Sequence, residues 1–301
     1  MNKQNRFTRG VIFAMLGGIF WGFSGTCGQY LFQNYNVDYQ WLTAVRLLTS
    51  GIILTLCLII KQKSAAFTIW RSKKDSLSLV AFGLIGLISC QYSYLAAIRY
   101  TNAATATVLE YTGLVLVMIY TCIRNKRLPK IKESICVLLA VAGVFIITTH
   151  GNTKTMIISD KGLMWGIISA FGLLLYTVIP ERIIRKYSSL PVTAFGMLIG
   201  GIFLFLIVRA WEIPVSLDYK GYMAMAGIII VGTVISYTLF LQGVGDIGAV
   251  RASVIACVEP VSATVISSVW LNTKFAPMDF VGFGVIILTV LILSIKNKEN
   301  V

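Results

Sequence analysis

Ten apolar runs, separated by short polar segments, order the chain from end to end. They cover 10–32, 39–60, 77–98, 102–123, 133–150, 162–179, 190–210, 221–242, 249–270 and 278–295. None keeps a polar stripe at helical spacing, as a helix lying on a soluble core would. Runs that are apolar all round and about 20 residues long match the hydrocarbon thickness that an α-helix must cross. The alternating pattern of a membrane barrel is absent, and lipid permits only helices and closed barrels. The pattern predicts an all-α membrane protein of ten transmembrane helices, with its tightest connections near 99–101 and 243–248.

Composition agrees. The 301 residues are 57% hydrophobic and 13% charged, against about 45–50% and about 25% in soluble domains. Ten spans leave only short connections, so no separate soluble domain is expected. The net charge of +14 would suggest nucleic acid in a soluble chain. Here the basic residues sit in short segments between apolar runs and form no continuous surface, so they are read as topology signals and nucleic acid is excluded as a partner. With the N-terminus placed inside, Arg99, Lys154, Lys161, Arg209, Lys220 and Lys274 fall outside. Arg46 and Arg251 fall within runs, and the other eighteen of the 26 Lys and Arg, Lys296 and Lys298 among them, fall inside. That bias places both termini in the cytoplasm of a multi-pass plasma-membrane protein. Trp41, Trp211 and Trp270 stand at run ends, where indole rings favour the interface. The first run is too long for a cleaved signal and is read as a retained helix. All six cysteines lie inside apolar runs and read as small buried residues. With one histidine, His150, and no CxxC, no metal or cofactor is expected.

The chain repeats itself. Gly18-Ile-Phe-Trp21-Gly22 echoes Gly162-Leu-Met-Trp165-Gly166, and Gly28 echoes Gly172. The segment Ala97-Ile-Arg-Tyr-Thr-Asn-Ala-Ala-Thr-Ala106-Thr-Val108 aligns with Gly243-Val-Gly-Asp-Ile-Gly-Ala-Val-Arg-Ala252-Ser-Val254. The two halves, 1–150 and 151–301, then hold five helices each. An odd number forces the second half to insert upside down, giving two inverted five-helix repeats, a common transporter plan with its substrate site near the midplane. These residues together with Arg46, and Arg251-Ala-Ser through Glu259-Pro260 in the ninth run, resemble the drug/metabolite transporter superfamily, EamA type. The resemblance spans nearly the whole chain. It implies ten helices, both ends cytoplasmic, and a central cavity lined mainly by helices 1, 3, 4, 6, 8 and 9. The chain departs from the family pattern in three places. Asn125-Lys126-Arg127 and Asn272-Thr273-Lys274 stand where the family often carries Gly-Glu-Arg, and Leu114 stands at a usual proline.

Charges at membrane depth cost about 2.5–3.5 kcal/mol each on insertion scales, so they mark function or a paired structural role. Arg46, Glu110 and Glu259 are such charges. Glu110 shares its helical face with Ala103, Ala106, Thr107 and Gly113. Glu259 shares its face with Ala252, Ala256, Ser262 and Ala263. Small residues at this spacing permit close packing or cavity space. Pro260 offers no N–H to the Ala256 carbonyl and predicts a kink beside Glu259. Two readings stand for each acid: a substrate or proton site, with Pro260 as its hinge, or a structural carboxylate satisfied by a buried hydroxyl. Arg46 either pairs with a carboxylate or backbone carbonyls or contacts a substrate carboxylate. Arg251 reads as an interfacial charge. Gln91, Tyr92, Tyr111, Tyr176, Ser236 and Tyr237 lie at cavity depth as further candidates. Aromatic walls beside two carboxylates suit an amine. Gly17, Gly18, Gly22, Gly25 and Gly28 predict tight helix contact on the first run.

The expected function is a secondary transporter moving a small polar metabolite, an amino acid or an amine, by alternating access, with proton coupling through either acid. A multidrug or lipophilic-cation exporter is the alternative within this architecture. A membrane enzyme or scramblase finds no support, since no Ser-His-Asp set, HExxH or phosphate loop occurs. The expected partners are the small-molecule substrate and membrane lipids.

Overall fold

The computed structural model describes residues 3–100, 103–155, 159–271 and 276–294. Thr101 and Asn102 of the Ala97 segment, the Asn272-Thr273-Lys274 run, and Lys296 and Lys298 lie outside the described residues. The described residues form ten helices. They are α1 (Lys3–Tyr35), α2 (Tyr39–Gln62), α3 (Lys73–Tyr100), α4 in two segments (Ala103–Tyr111 and Gly113–Arg124) and α5 (Ile131–Thr149). Then follow α6 (Asp160–Tyr187), α7 (Ser189–Ile207), α8 (Tyr219–Ile247), α9 in two segments (Ala249–Ala256 and Val258–Leu271) and α10 (Pro277–Ser294). Seven of them, α9 counted across its break, are long and apolar enough to cross a membrane; the two segments of α4 are each too short alone. Side chains cap several helix starts. Asp38 accepts from the backbone N–H of Gln40 at 2.7 Å and of Trp41, Ser159 accepts from Gly162, and Asp218 accepts from Gly221. The tight link between α8 and α9 turns at Gly248, whose φ of +87° suits glycine.

The packing has a symmetry that follows from the repeat. Exchanging α1–α5 with α6–α10 maps the principal helix contacts onto one another. Helix α2 lies along α7, and α5 lies along α10. The α1–α8 contact has α3–α6 as its counterpart, and the α1–α9 contact has α4–α6. The halves are therefore interlocked, each helix of the centre touching the other half.

Local irregularities are duplicated too. A π-helical stretch interrupts α3 at Phe82–Leu87 and α8 at Gly227–Ile235. In α8 the Thr233 hydroxyl donates to the Ile228 carbonyl, five residues back, at 2.8 Å. Helix α4 breaks at Thr112 and α9 at Cys257. At each break the backbone N–H turns to a carbonyl three residues back, Leu109 and Val254 respectively, at 3.2 Å. Pro260 predicted the second break; nothing in the apolar pattern predicted the first.

Contacts near the membrane surfaces tie together only those helix ends that an alternating path puts on one side. On the face carrying most of the basic residues, Asp246 at the end of α8 accepts from Arg6 and Arg9 of α1. Asp75 at the start of α3 accepts from Arg182 and from Lys186 and Tyr187 near the end of α6. Arg124 after the second segment of α4 reaches Glu181. On the opposite face, the Tyr35 hydroxyl donates to Asp218 and holds that carboxyl below its ordinary range. There too His150 meets Asp279 at 2.7 Å, and Ser159 donates to the Tyr100 carbonyl. The outer belt is apolar: Ile60, Leu138 and Ile207 are all largely exposed, as a lipid-facing surface requires. Cys57 is exposed in this belt, which corrects the expectation that every cysteine is buried; its place on the lipid face of α2 satisfies an apolar run equally well.

The glycines of α1 divide into two groups. A Cβ on Gly18 would lie 2.6 Å from the Ala256 carbonyl oxygen, and one on Gly22 would lie 2.6 Å from the Ala263 nitrogen, so α1 packs backbone to backbone on α9. Gly25 and Gly28 have nothing near them, so close packing was the wrong expectation for that end of the helix. Gly22→Ala should therefore destabilise the purified protein by about 1–3 kcal/mol through overpacking, seen as a lower Tm, while Gly25→Ala should leave Tm unchanged.

Candidate functional site

Breaking a helix frees backbone groups, and lipid forbids leaving them bare. The two breaks, in α4 and α9, lie between residues that line the central cavity, Tyr111 and Leu114 in α4 and Ala256 and Glu259 in α9. The cavity has a volume of about 700 Å³ and is walled by α1, α2, α3, α4, α6, α8 and α9. Along α1 its wall runs from Trp21 out to Gln33, and it reaches His150 beyond α5. It therefore opens toward the face with fewer basic residues. The N-terminal part of α1 contributes no lining residue, and at the opposite face the Asp246 and Asp75 clusters tie helix ends together.

Both membrane acids line this cavity. Glu110 stands two residues before the α4 break, and Glu259 two residues after the α9 break. Each is held by a hydroxyl from the other half. The Tyr111 hydroxyl donates to Glu259 Oε2 at 2.8 Å, and Ser169 of α6 donates to Glu110 Oε1 at 3.0 Å. The Cys90 thiol adds a longer contact to Glu110 at 3.7 Å. Tyr111 also reaches the Ala256 carbonyl at 3.4 Å, the group that Pro260 leaves without a helix partner. One phenol thus answers both the carboxylate and the freed carbonyl.

Arg46 lines the cavity from α2. Its structural reading required a carboxylate or backbone carbonyls, and among the described residues it bonds to neither. Its Nε donates to Gln91 Oε1 at 2.7 Å, its Nη2 donates to the same oxygen, and Nη2 touches the Tyr237 hydroxyl at 3.5 Å. Trp21, Tyr176, Tyr237 and Phe240 form a mutually contacting aromatic group, with ring centroids 4.8–6.4 Å apart. Arg251 is remote from the cavity and lies over the Phe7 ring.

Of the sequence candidates, Arg46, Gln91, Glu110, Tyr111, Tyr176, Tyr237, Glu259 and Pro260 line the cavity. Tyr92 and Ser236 do not. Tyr92 is one residue, about 100° of helix, from Gln91, and its hydroxyl accepts from Gln40 at 2.8 Å while its ring meets Tyr39 and Trp165. Ser236 is buried against the Gly232 carbonyl. Four residues from Gly232 is the facing position of an α-helix, but the π-helical stretch turns more slowly and brings Tyr237 to the wall instead. Tyr94, Thr107, Cys90 and Trp21 also line the cavity and went unnoticed in the sequence as site residues. Tyr94 was findable, since Gln91, Tyr94, Leu95 and Ile98 lie at helical spacing on one face; its hydroxyl pairs with Thr107 at 2.9 Å. Four buried polar atoms on cavity residues have no partner among the described residues: Trp21 Nε1, Gln91 Nε2, Tyr176 Oη and Ser253 Oγ. Among the described residues no group of three His, Cys, Asp or Glu side chains gathers for a metal.

A duplicated, interlocked helical bundle around a central cavity that sets two acids and an arginine in a mainly apolar wall is the architecture of a multi-pass membrane transporter. Comparison with known proteins places it further. Residues 8–149 and 160–295 each match the EamA-like transporter family, and the chain belongs to that family, whose members are transporters and not enzymes. It is similar to the uncharacterized inner membrane transporter YicL of Salmonella typhimurium, 31% identical over 97% of each chain. It is also similar to the uncharacterized transporter YetK of Bacillus subtilis, 26% identical over 84% of this chain and 77% of that one. A solved crystal structure shares the fold with a TM-score of 0.76 over 94% of this chain and 95% of its own, at 14% identity.

The geometry of the closed face generates a test. Asp246 is buried and gathers Arg6, Arg9 and Gln242. Asp246→Asn should loosen that face and raise several-fold the rate at which a membrane-impermeant thiol reagent, applied from that face, labels a Phe240→Cys variant. An unchanged rate would show that the cluster does not hold the cavity shut.

Proposed function

We propose that the chain is a secondary transporter of a small amino-bearing metabolite, carried through the central cavity by alternating access. The observation that carries this reading is the placement of both membrane acids on one cavity wall, one from each half. A cavity of about 700 Å³ is in the range that encloses small metabolites. The carboxylates rest only on neutral hydroxyl and thiol donors, so an ammonium group replaces weak partners with a stronger, charge-assisted one. Because each acid is bonded to the opposite half, whatever occupies the acids acts on the contact between halves. The five basic groups of the Asp246, Asp75 and α4–α6 clusters, Arg6, Arg9, Arg182, Lys186 and Arg124, lie on the face read as cytoplasmic, and on that reading the present state is outward-open with both termini inside. As carboxylates, the same two sites can each take up a coupling proton when the ammonium group is absent.

A multidrug or lipophilic-cation exporter is the second reading, favoured by the aromatic group of Trp21, Tyr176, Tyr237 and Phe240. Drug sensitivity of a deletion strain separates the two.

The test is uptake by the purified protein in liposomes, against a panel of amino acids and amines. A charge-assisted hydrogen bond contributes about 1.5–3 kcal/mol, so Glu259→Gln and Glu110→Gln should each lower transport efficiency by about 10–100-fold. If neither change alters uptake of any transported compound, the acids are not the site.

A further inference from the structure

The cavity holds one cation as well as two acids, and the cation is paired with neither. Arg46 forms no ion pair among the described residues; its guanidinium is held by the Gln91 side-chain oxygen, with the Tyr237 hydroxyl at the limit of contact. Glu110 and Glu259 take hydroxyl and thiol donors instead. Membrane-embedded charges ordinarily pair with one another, and among the described residues no carboxylate comes within ion-pair distance of this one. Gln91 sharpens the point. A guanidinium has only donors, so the amide must present its oxygen to Arg46. That leaves Gln91 Nε2, buried and without a partner among the described residues, as a second donor beside the cation. The acids come from α4 and α9, while the donor pole comes from α2 and α3, all on one wall system.

We propose that Arg46, positioned by Gln91, binds the carboxylate of a zwitterionic substrate whose ammonium group is held by Glu110 or Glu259. The inference rests on the carrier reading above and narrows it: the cavity has poles of both signs and selects amino acids over amines. The guanidinium contacts the ligand directly; Gln91 acts through it, fixing its fork and adding a donor.

The experiment uses the full-length protein in liposomes and three matched pairs, in which each amine is the amino acid without its carboxylate: leucine and isoamylamine, lysine and cadaverine, serine and ethanolamine. For whichever pair is carried, the amino acid should be taken up at least about tenfold more efficiently than the amine, the equivalent of one charge-assisted contact. Arg46→Gln should bring that ratio close to one by lowering amino-acid uptake and leaving amine uptake where it was. Arg46→Lys, which keeps the charge but not the fork, should retain part of the preference. Gln91→Glu keeps Arg46 and gives it an internal carboxylate, and should erase the preference in a protein whose cation is intact; this guards against Arg46→Gln simply failing to fold. An amine carried as well as its amino acid, or a ratio that survives both Arg46→Gln and Gln91→Glu, overturns the inference while leaving the carrier reading to the Glu110 and Glu259 variants. A wild-type protein that moves none of the six compounds overturns it as well, and the wider panel then judges the carrier reading alone.

Discussion

Two hydrogen bonds that cross between the repeats organise the centre of this protein: Tyr111 to Glu259 and Ser169 to Glu110. A carboxylate at membrane depth cannot be left without donors, and for each acid the hydroxyl donor comes from the other half, the Cys90 thiol adding only a longer contact to Glu110. Each half is therefore completed by the other. The contact symmetry, with α1–α8 answering α3–α6 and α1–α9 answering α4–α6, is the packing that brings those donors into reach. The broken helices belong to the same constraint. A continuous α9 would keep the Ala256 carbonyl for itself; the interrupted one offers it to the phenol that also holds Glu259.

Much of the fold was legible because the solvent of this chain is lipid. A helix that must satisfy all of its backbone groups internally needs a long apolar run, and ten such runs are visible without any knowledge of packing. The repeat was legible through Trp21-Gly22 and Trp165-Gly166, the break in α9 through Pro260, and the two acids through their isolation in apolar surroundings. What stayed hidden was phase. Tyr92 and Tyr94 are alike in composition, and only helical spacing from Gln91 puts Tyr94 on the cavity face of α3 and Tyr92 off it. Ser236 fits the face of a regular helix through Gly232, but a π-helical stretch has no composition of its own and shifts the wall to Tyr237. The α4 break at Thr112 was hidden because no proline marks it; it is set by contacts of its partner α6, where Gly113 lies 2.5 Å, as judged by an added Cβ, from the Ala170 carbonyl.

The partner of Arg46 was also beyond the sequence. A membrane arginine and two membrane glutamates invite the assumption that they neutralise one another. They form no ion pair among the described residues, and a neutral amide takes the arginine. Hydrogen-bond inventory, more than charge counting, separates a structural ion pair from a binding pole: a paired guanidinium has its demand met, whereas one held by a single amide oxygen retains donors for something else.

The glycines of α1 connect this site to movement. Gly18 and Gly22 let α1 lie backbone to backbone on α9 at the level of the break, and one turn farther out Gly25 and Gly28 open the wall of the cavity. The same helix carries Arg6 and Arg9 to Asp246 at the closed face and Tyr35 to Asp218 at the other. On the carrier reading, α1 is the lever that senses both ends. A close contact with α9, in which the Ser262 hydroxyl donates to the Ile19 carbonyl, gives it a point about which to tilt, and on this reading a rotation there closes the open face while releasing Asp246. The cross-half bonds to the acids must be remade in that rotation, so a ligand that takes over the carboxylates removes the chief attachments that oppose it. Binding and movement then draw on one set of bonds, which is why the acids sit beside the helix breaks.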